Sequence, residues 1–393
     1  MHPVTRDPVL PQPEATDLTD HDLADLVRFR HARHRHPEVS GQEAETARTV
    51  TEALATLRPD DIVTGLGGHG VAAVFRGAAS GPTVMIRAEL DALPIEERPG
   101  PAHRSERPGT AHLCGHDGHM TILLAVGQAL ARARPAAGRV VLLFQPAEED
   151  GSGAAAVLAD PAFATLRPDW AYALHNMPGM PMGQVQVAAG AANCASVGLR
   201  IVLSGRTAHA ATPQTGVSPG PAVARLIPAL AALGSGGDLS PDFSLVTVTH
   251  ARLGEPSFGI SPGRAEVWAT LRTLTDGGMA ALKARAVALA QAVAADDGLE
   301  VDVTWHDDFA ACTNDPDAVA HIRAATPWQA PEGPMRASED FGRFGGAGTR
   351  SAMFLLGAGE DAPALHSPDY DFPDVLIAPG AAIFLRIIRG ILG

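Results

Sequence analysis

The hexapeptide Cys114-Gly115-His116-Asp117-Gly118-His119 brings a thiol, two imidazoles and a carboxylate into one short segment. Cys114 and His116 are two residues apart, so on an extended segment their side chains point the same way. Thiolate and imidazole are preferred ligands of zinc and its neighbours in the periodic table. An apolar pattern with helical spacing follows the hexapeptide, which predicts a metal site at the start of a helix. Each of these residues alone is more often structural, so the remaining ligands must come from elsewhere.

Glu148 and Glu149 follow an apolar run and Pro146, where a strand is expected to end. Adjacent carboxylates aim in different directions, so one can bind a metal while the other faces the water that the metal activates. A solvated turn is the alternative reading of such an acidic pair. His175 and His366 also follow apolar runs and complete a set of five ligands, enough for two metals. The histidines at 31, 34 and 36 have suitable spacing too, but a polar surface near a helix end is the favoured interpretation there.

Composition narrows the class of protein. The chain has 393 residues, of which 46% are hydrophobic, and this length suits two domains. Its net charge of −14 argues against nucleic-acid binding, which needs a basic surface. The three cysteines are too few and too widely spaced for a disulfide framework, so a reduced, cytoplasmic protein is expected. Neither a secretory signal nor an apolar run of about 20 residues is recognisable, so we expect no membrane association.

The order of apolar runs predicts an α/β fold. Residues 1–18 suggest a disordered arm, and Thr19 or Asp20 is the expected cap of a first helix. Short strands at 83–86, 140–144, 170–174 and 353–356 alternate with helical patterns, as in a mainly parallel sheet flanked by helices. Ligands of such sheets gather beyond the carboxyl ends of the strands, where the acidic residues and histidines lie.

The pattern changes near residue 188. Strand, helix, two strands, helix and strand are expected up to residue 305, which predicts an α+β unit with a four-stranded antiparallel sheet. The chain then returns to the first unit. We therefore predict a catalytic domain of residues 1–187 and 306–393 with an inserted domain of residues 188–305.

Further motifs accompany the hexapeptide along the chain: Arg33-His34-Arg35-His36-Pro37-Glu38, Arg87-Ala88-Glu89-Leu90-Asp91, Gln145-Pro146-Ala147-Glu148-Glu149, Gly205-Arg206-Thr207-Ala208-His209, Ser338-Glu339-Asp340-Phe341 and Leu365-His366-Ser367-Pro368. In kind and order these motifs resemble those of the dinuclear metal amidohydrolases related to hippurate hydrolase and the indole-acetyl-amino-acid hydrolases. The similarity runs from about residue 22 to the C-terminus. It implies a two-metal catalytic domain, an inserted lid domain that mediates homodimerisation, and hydrolysis of a small N-acyl amino acid or amide.

The resemblance also implies roles for individual residues. The metal ligands would be Cys114, His116, Glu149, His175 and His366. Glu148 resembles the general base, and Asp91 the carboxylate that orients a ligand histidine. His209 resembles the lid histidine that stabilises the oxyanion, and Arg272 occupies the place of an arginine that binds the substrate carboxylate. Asp117 and His119 would brace the loop. Zinc is the favoured metal, with manganese, cobalt and nickel as alternatives.

The chain departs from this pattern at a few positions. Relatives usually have Asp at the position of Glu89, and in the lid they have other residues at the positions of Gln214 and Ser218. At the position of Gly259 they have an Asn that helps to bind substrate. An intact metal site with an altered lid predicts an active hydrolase with an unusual acyl or amine group. A dipeptidase or carboxypeptidase is the alternative within this class. From other classes, the alternatives are a binding protein that has lost catalysis and a thiol hydrolase with Cys114 as nucleophile.

Overall fold

The computed structural model describes residues 18–326, 333–346 and 348–393. The expected N-terminal arm lies outside these residues, apart from Leu18. The chain forms two compact units. Unit 1 comprises the residues up to Ala192, Thr313–Gly333 and Asp340–Gly393, and unit 2 comprises Asn193–Cys312 and Pro334–Glu339. The return to the first unit therefore lies a few residues later than the sequence-based boundary, and a short second segment joins unit 2.

Unit 1 is built on a seven-stranded mixed sheet with the order β1-β2-β4-β3-β5-β15-β6. The four central strands, β4, β3, β5 and β15, run parallel, and the edge strands are antiparallel. The strands are β1 (Asp61–Leu66), β2 (Gly70–Arg76), β3 (Ala79–Glu89), β4 (Ala137–Gln145), β5 (Trp170–Met177), β6 (Val185–Gln186) and β15 (Arg350–Gly357). This confirms the predicted sheet; β1 and β2 have no counterpart among the predicted strands.

The helices of unit 1 pack against this sheet. They are α1 (Asp20–Arg35), α2 (Ala44–Thr56), α3 (His116–Arg132), α4 (Gly153–Ala159), α7 (Pro316–Ala325) and α8 (Ile377–Leu392), with 3₁₀ turns at Pro161–Thr165, Asp340–Phe344 and Asp374–Leu376. The predicted cap is present, because the Thr19 and Asp22 side chains form a capping box at the start of α1. Helices α3 and α8 are buried along most of their length, which makes them part of the core.

Unit 2 has a four-stranded antiparallel sheet with the order β10-β12-β8-β13. Its strands are β8 (Ala195–Ser204), β10 (Ser244–Leu253), β12 (Arg264–Thr273) and β13 (Glu300–Phe309), and the short strands β9 (Ala208–His209) and β11 (Ile260–Ser261) pair beside them. Helices α5 (Gly220–Ala231) and α6 (Asp276–Asp296) share a hydrophobic core with the sheet. The strands β7 (Gly190–Asn193) and β14 (Cys312–Asn314) form a separate pair. The predicted α+β unit is confirmed.

Two helical segments, Asp276–Asp296 and Asp374–Leu392, are long and apolar enough to cross a membrane. By length and composition, these two helices contradict the expectation that the chain has no apolar run of about 20 residues. Packing accounts for both segments, because α6 contributes Met279, Leu282 and Ala286 to the core of unit 2 and two thirds of the second segment is buried in unit 1.

Candidate metal centre

The five predicted metal ligands come from four segments of unit 1 and lie together. Cys114 and His116 flank the first turn of α3, Glu149 follows β4, His175 lies near the end of β5, and His366 lies in a turn after β15. Donor atoms within 4.8 Å of one another form five groups among the described residues, and three of them contain predicted ligands from at least two segments: Cys114 with His116 and His175, Cys114 with Glu149 and His366, and His116 with Glu148 and Glu149. Cys114, His116 and Glu149 each belong to two of these three groups. The carboxyl ends of the parallel strands therefore gather the side chains, as the sequence predicted.

The distances leave room for an ion between the donors rather than joining them directly. His116 Nε2 lies 3.8 Å from a carboxylate oxygen of Glu149 and 3.9 Å from one of Glu148. His366 Nε2 lies 3.7 Å from the other oxygen of Glu149, and Cys114 Sγ lies 3.4 Å from His175 Nε2. The three nitrogen–oxygen separations exceed normal hydrogen bonds, whereas Cys114 and His175 are within hydrogen-bond distance for a sulfur atom. The donor atoms can therefore turn towards a common ion.

Both buried ligand histidines are held in the tautomer that binds metal through Nε2. His116 Nδ1 donates to the carbonyl of Asp91 at 2.9 Å, and His175 Nδ1 donates to the carbonyl of Asn176 at 2.8 Å. His116 Nε2 is buried and has no hydrogen-bond partner among the described residues. A buried, unpartnered imidazole nitrogen beside two carboxylates and a thiol fits a divalent cation such as zinc. The donors present therefore suit the metal that the resemblance implies.

A glycine sets the direction of the Cys114-Gly115-His116 segment. Gly115 precedes α3 with a φ of 96°. A Cβ at this position would collide with the side chain of Asn176, so the left-handed turn and the close approach both favour glycine. The turn lets Cys114 and His116 face the same centre from either side of the helix start.

Asp91 supports the centre from behind. One of its oxygens accepts hydrogen bonds from the Glu149 backbone N–H, at 3.0 Å, and from the Ser40 hydroxyl, at 2.7 Å. The other oxygen lies 3.4 Å from His116 Nδ1. Burial opposes ionisation of Asp91, but the bond to His116 outweighs it and lowers the pKa of Asp91. The backbone carbonyl of Asp91 accepts the ring N–H of His116, whereas its carboxylate holds the Glu149 backbone and lies close to the same ring.

The centre is electrostatically negative and favours a cation. Burial disfavours a charged His116, yet its bond to Asp91 and the carboxylates of Glu89 and Glu149 raise its pKa to about 10. Burial and the nearby Glu149 and Glu148 raise the pKa of the Cys114 thiol well above its usual value.

Glu89 and His119 belong to a buried network next to the centre. His119 Nδ1 lies 2.7 Å from Glu89, whose carboxylate also pairs with the Arg87 guanidinium. The other nitrogen of His119 contacts Asn176, whose amide donates to the Tyr370 hydroxyl at 2.6 Å. The Glu89 side chain, which is one methylene longer than the Asp of relatives, thus contacts both His119 and Arg87. His119 braces the site as the sequence suggested, although it also lies in a potential metal group with Glu89 and His116.

Asp117 links the first turn of α3 to helix α1. Its carboxylate pairs with Arg30, at 2.9 Å, and with His34 Nδ1, also at 2.9 Å. His34 is buried and also contacts Glu97 at 3.2 Å. None of the potential metal groups among the described residues includes His31, His34 or His36. His34 is therefore a buried ion-pairing residue rather than part of the expected polar surface.

The remaining predicted site residues, His209 and Arg272, belong to unit 2, whereas the ligand set belongs to unit 1. His209 is exposed, and its Nδ1 accepts a hydrogen bond from the Ala211 backbone N–H at 3.0 Å. Arg272 Nη1 donates to the Arg336 carbonyl and to the Ser338 hydroxyl, at 2.9 and 2.8 Å. Sequence reasoning missed Ser40, Glu43 and Asn176, because single polar residues outside a ligand pattern give no local signal of these contacts.

A buried centre with these donors at the carboxyl edge of an α/β sheet defines a metal-dependent hydrolase class. The family model of peptidase family M20/M25/M40 matches residues 85–390. The chain belongs to this family, and the resemblance inferred from the motifs is confirmed.

Curated relatives and solved structures agree with this assignment. The chain is 31% identical over 305 residues to an N-acetyl-L-cysteine deacetylase of Bacillus subtilis, covering 76% of this chain and 71% of the relative. It is 28% identical over 382 residues to the hippurate hydrolase of Campylobacter jejuni, covering 95% and 97%. The structure of the Bacillus subtilis YXEP protein, a dinuclear metal binding peptidase of the M20 family, superposes with a TM-score of 0.77 at 24% identity, covering 94% of this chain and 98% of that one.

Proposed function

We propose that this protein hydrolyses the amide bond of a small N-acyl amino acid and releases a carboxylic acid and an amino acid. The observation that carries the proposal is the convergence of Cys114, His116, Glu149, His175 and His366 beside Glu148 in unit 1. The names of two relatives, an N-acetyl-L-cysteine deacetylase and a hippurate hydrolase, indicate substrates of this kind.

The five ligands would hold two divalent cations, with zinc the favoured ion. Two groups of donors that share Cys114 support two ions, and so does the similarity to the YXEP protein, which is a dinuclear metal binding peptidase. When bound, such ions supply a Lewis acid for the amide carbonyl and lower the pKa of water. Thiolate and imidazole favour zinc, whereas the carboxylates also suit manganese, cobalt or nickel.

Glu148 would act as the general base. Its carboxylate lies beside the ligand set, takes a proton from the attacking water, and delivers it to the leaving amine as the carbon–nitrogen bond breaks. Asp91 keeps His116 and the Glu149 backbone in place while this happens. One carboxylate thus serves both proton transfers of the hydrolysis.

His209 would donate a hydrogen bond to the oxyanion, and its tautomer supports this role. Because its Nδ1 accepts the Ala211 N–H, the neutral ring carries its proton on Nε2 and presents it as a donor. Arg272 would bind the substrate carboxylate, although its Nη1 is already used by Arg336 and Ser338. The remaining guanidinium donors would have to serve the substrate.

Unit 2 would serve as a lid and as the dimerisation domain. Its edge strand β10 is exposed over its last residues, and Leu253, Phe258 and Ile260 are exposed apolar side chains in this region. Light scattering of the purified protein tests the dimer, and a mass that halves in Leu253→Glu would support this surface. The cytoplasmic location stays a proposal, supported by three buried cysteines that form no disulfide.

A hydrolysis screen with metal removal and replacement tests the function. N-acyl amino acids, dipeptides and non-amino-acid amides would be offered to chelated protein and to protein resupplied with zinc, manganese, cobalt or nickel. We expect turnover of an N-acyl amino acid that chelation abolishes and metal restores. Turnover confined to dipeptides would indicate a peptidase, turnover that survives metal removal a thiol hydrolase, and binding without turnover a protein that has lost catalysis.

A further inference from the structure

The side chain of Glu43 reaches the turn that carries Glu148. Its Oε1 accepts hydrogen bonds from the Ala147 backbone N–H, at 2.8 Å, and from the Gly41 N–H, at 2.9 Å. Glu43 is fully buried and lies 104 residues from Ala147 in the chain. Neither the ligand set nor the roles of Glu148 and Asp91 account for this contact.

Glu43 does not serve its own helix. It occupies the N-cap position of α2, but its side chain makes no capping hydrogen bond. Glu38 supplies that contact instead, because its carboxylate accepts the Thr46 backbone N–H at 2.7 Å and the Thr46 hydroxyl at 2.9 Å. The carboxylate of Glu43 is therefore free to contact the distant turn without leaving the start of α2 unsatisfied.

The partner of Glu43 has an uncommon backbone conformation. Ala147 has a φ of 48°, in the left-handed region that residues with a Cβ rarely adopt. Its carbonyl accepts the Gly153 N–H at 2.8 Å, and a Cβ on Gly153 would collide with the Pro146 carbonyl. Hydrogen bonds thus hold Ala147 on both sides, and Glu43 provides the one on its N–H side. Non-glycine residues in this region persist only where their surroundings fix them.

Holding Glu43 in this place costs folding free energy. Its second oxygen, Oε2, is buried and has no hydrogen-bond partner among the described residues. A buried carboxyl oxygen without a partner destabilises a fold, and native structures keep few of them. The retained contact to Ala147 points to a use at the site that follows directly in the chain.

We propose that Glu43 is a positioning residue for the general base. By holding Ala147 in the left-handed conformation, it directs the carboxylate of Glu148 towards the water that it deprotonates. Asp91 holds the backbone N–H two residues further on, that of Glu149, so the two carboxylates fix the turn on either side of Glu148. This inference rests on the proposed function, in which Glu148 is the base.

Two substitutions at position 43 test the hydrogen bond. Glu43→Ala removes it, and we expect kcat to fall about 10- to 100-fold with little change in KM, since a shift of about 1 Å in a catalytic group has effects of this size. Glu43→Gln should stay within about threefold of wild type, because the amide oxygen can accept the same two N–H groups. Bound metal, measured by mass spectrometry, should be unchanged in both. Glu52→Ala, an exposed position on the same helix, is the matched control.

A glycine at position 147 tests the mechanism of positioning. Glycine adopts positive φ without the Cβ penalty. Adding Ala147→Gly to Glu43→Ala should therefore raise kcat about fivefold or more above that of Glu43→Ala alone. On its own, Ala147→Gly should change kcat by less than about threefold. A purely structural role of Glu43 would not produce this rescue. Hydrogen exchange of peptides covering the 146–151 turn should rise in Glu43→Ala and not in Glu43→Gln.

The outcomes separate this inference from the function on which it rests. Wild-type kcat in Glu43→Ala, or a kcat loss that Ala147→Gly does not reduce, would overturn the positioning role. Equal losses in Glu43→Gln and Glu43→Ala would overturn it as well, provided that thermal unfolding shows both variants folded. Glu148→Gln is measured in parallel, because full activity of that variant would contradict the proposed function itself, whatever Glu43 does.

Discussion

The two units differ in how firmly they hold their predicted functional residues. In unit 1 the ligands are mostly buried. The Nδ1 atoms of His116 and His175 each donate a hydrogen bond to a backbone carbonyl, which fixes the two rings. In unit 2 His209 is exposed and held by one backbone contact on a two-residue strand. Three of the four departures from the family pattern, Gln214, Ser218 and Gly259, also lie in unit 2. We infer that unit 1 fixes the reaction and that unit 2 is where substrate preference changes.

The base in unit 1 should give the largest effect. We expect Glu148→Gln to lower kcat about 10²- to 10⁴-fold, the range for a positioned general base, because the amide cannot accept the proton. Metal content should stay the same, since Glu149 rather than Glu148 is the proposed ligand. Steady-state kinetics and metal analysis of the same preparation check this. Activity close to wild type would remove Glu148 from its role.

The histidine in unit 2 should follow. His209→Ala should lower kcat about 10²-fold, as loss of one oxyanion donor does, while metal content stays at the wild-type level. Measuring both quantities sharpens the comparison, because the effect of unit 2 should be on turnover alone. A loss of metal in His209→Ala would contradict the separation of roles between the units.

Removing the shared ligand should instead affect metal binding. Cys114→Ala takes away the donor common to two of the ligand groups. Removing a residue that only supports a metal ligand usually lowers metal affinity about 10- to 100-fold. Because Cys114 is a proposed ligand itself, we expect Cys114→Ala to lower the affinity by more than this. Competition with a chelator measures the affinity. Cys312→Ala, at a buried cysteine outside the ligand groups, is the control, and equal affinities in the two variants would exclude Cys114 as a ligand.

The smallest effect should be a pH-dependent change in the stability of unit 1. Burial opposes protonation of His34, but its bonds to Asp117 and Glu97 outweigh it and raise the pKa of His34 from 6.5 to about 9. A raised pKa stabilises the fold below pH 6.5, and this contribution is lost as the pH rises towards 9. The free energy of unfolding of wild type relative to His34→Gln should therefore fall by roughly 2–3 kcal/mol over that interval.

A matched variant on the same helix isolates this effect. His21 lies on α1 with an exposed side chain, so His21→Gln should keep the wild-type dependence on pH. Denaturant unfolding of metal-loaded protein gives the free energy of unfolding of wild type and of each variant at pH 6 and at pH 9. Parallel pH dependence in wild type and His34→Gln would show that the Asp117–His34 pair does not titrate in this way.

Most of the elements that place the candidate site were predictable because they follow local rules. Apolar runs of four or five residues located the four central strands, and the capping residues located the start of α1. The edge strand β1 carries Thr64 and Gly65 among its apolar residues, which weakens the alternation that marks a strand, whereas β2 contains the apolar run Val71–Phe75, to which the same rule applies. The presence of metal-binding residue types at strand ends then predicts the candidate donors.

The sequence by itself determined which side chains are candidates for the chemistry, because ligand types and strand ends are local properties of the chain. Only the tertiary structure decided how those side chains are held. The contact of Glu43 with Ala147 spans 104 residues, and Glu89 reaches His119 across 30. Such partners are selected by the packing of distant elements and by the need to satisfy buried polar groups, and neither leaves a periodic signal in the sequence.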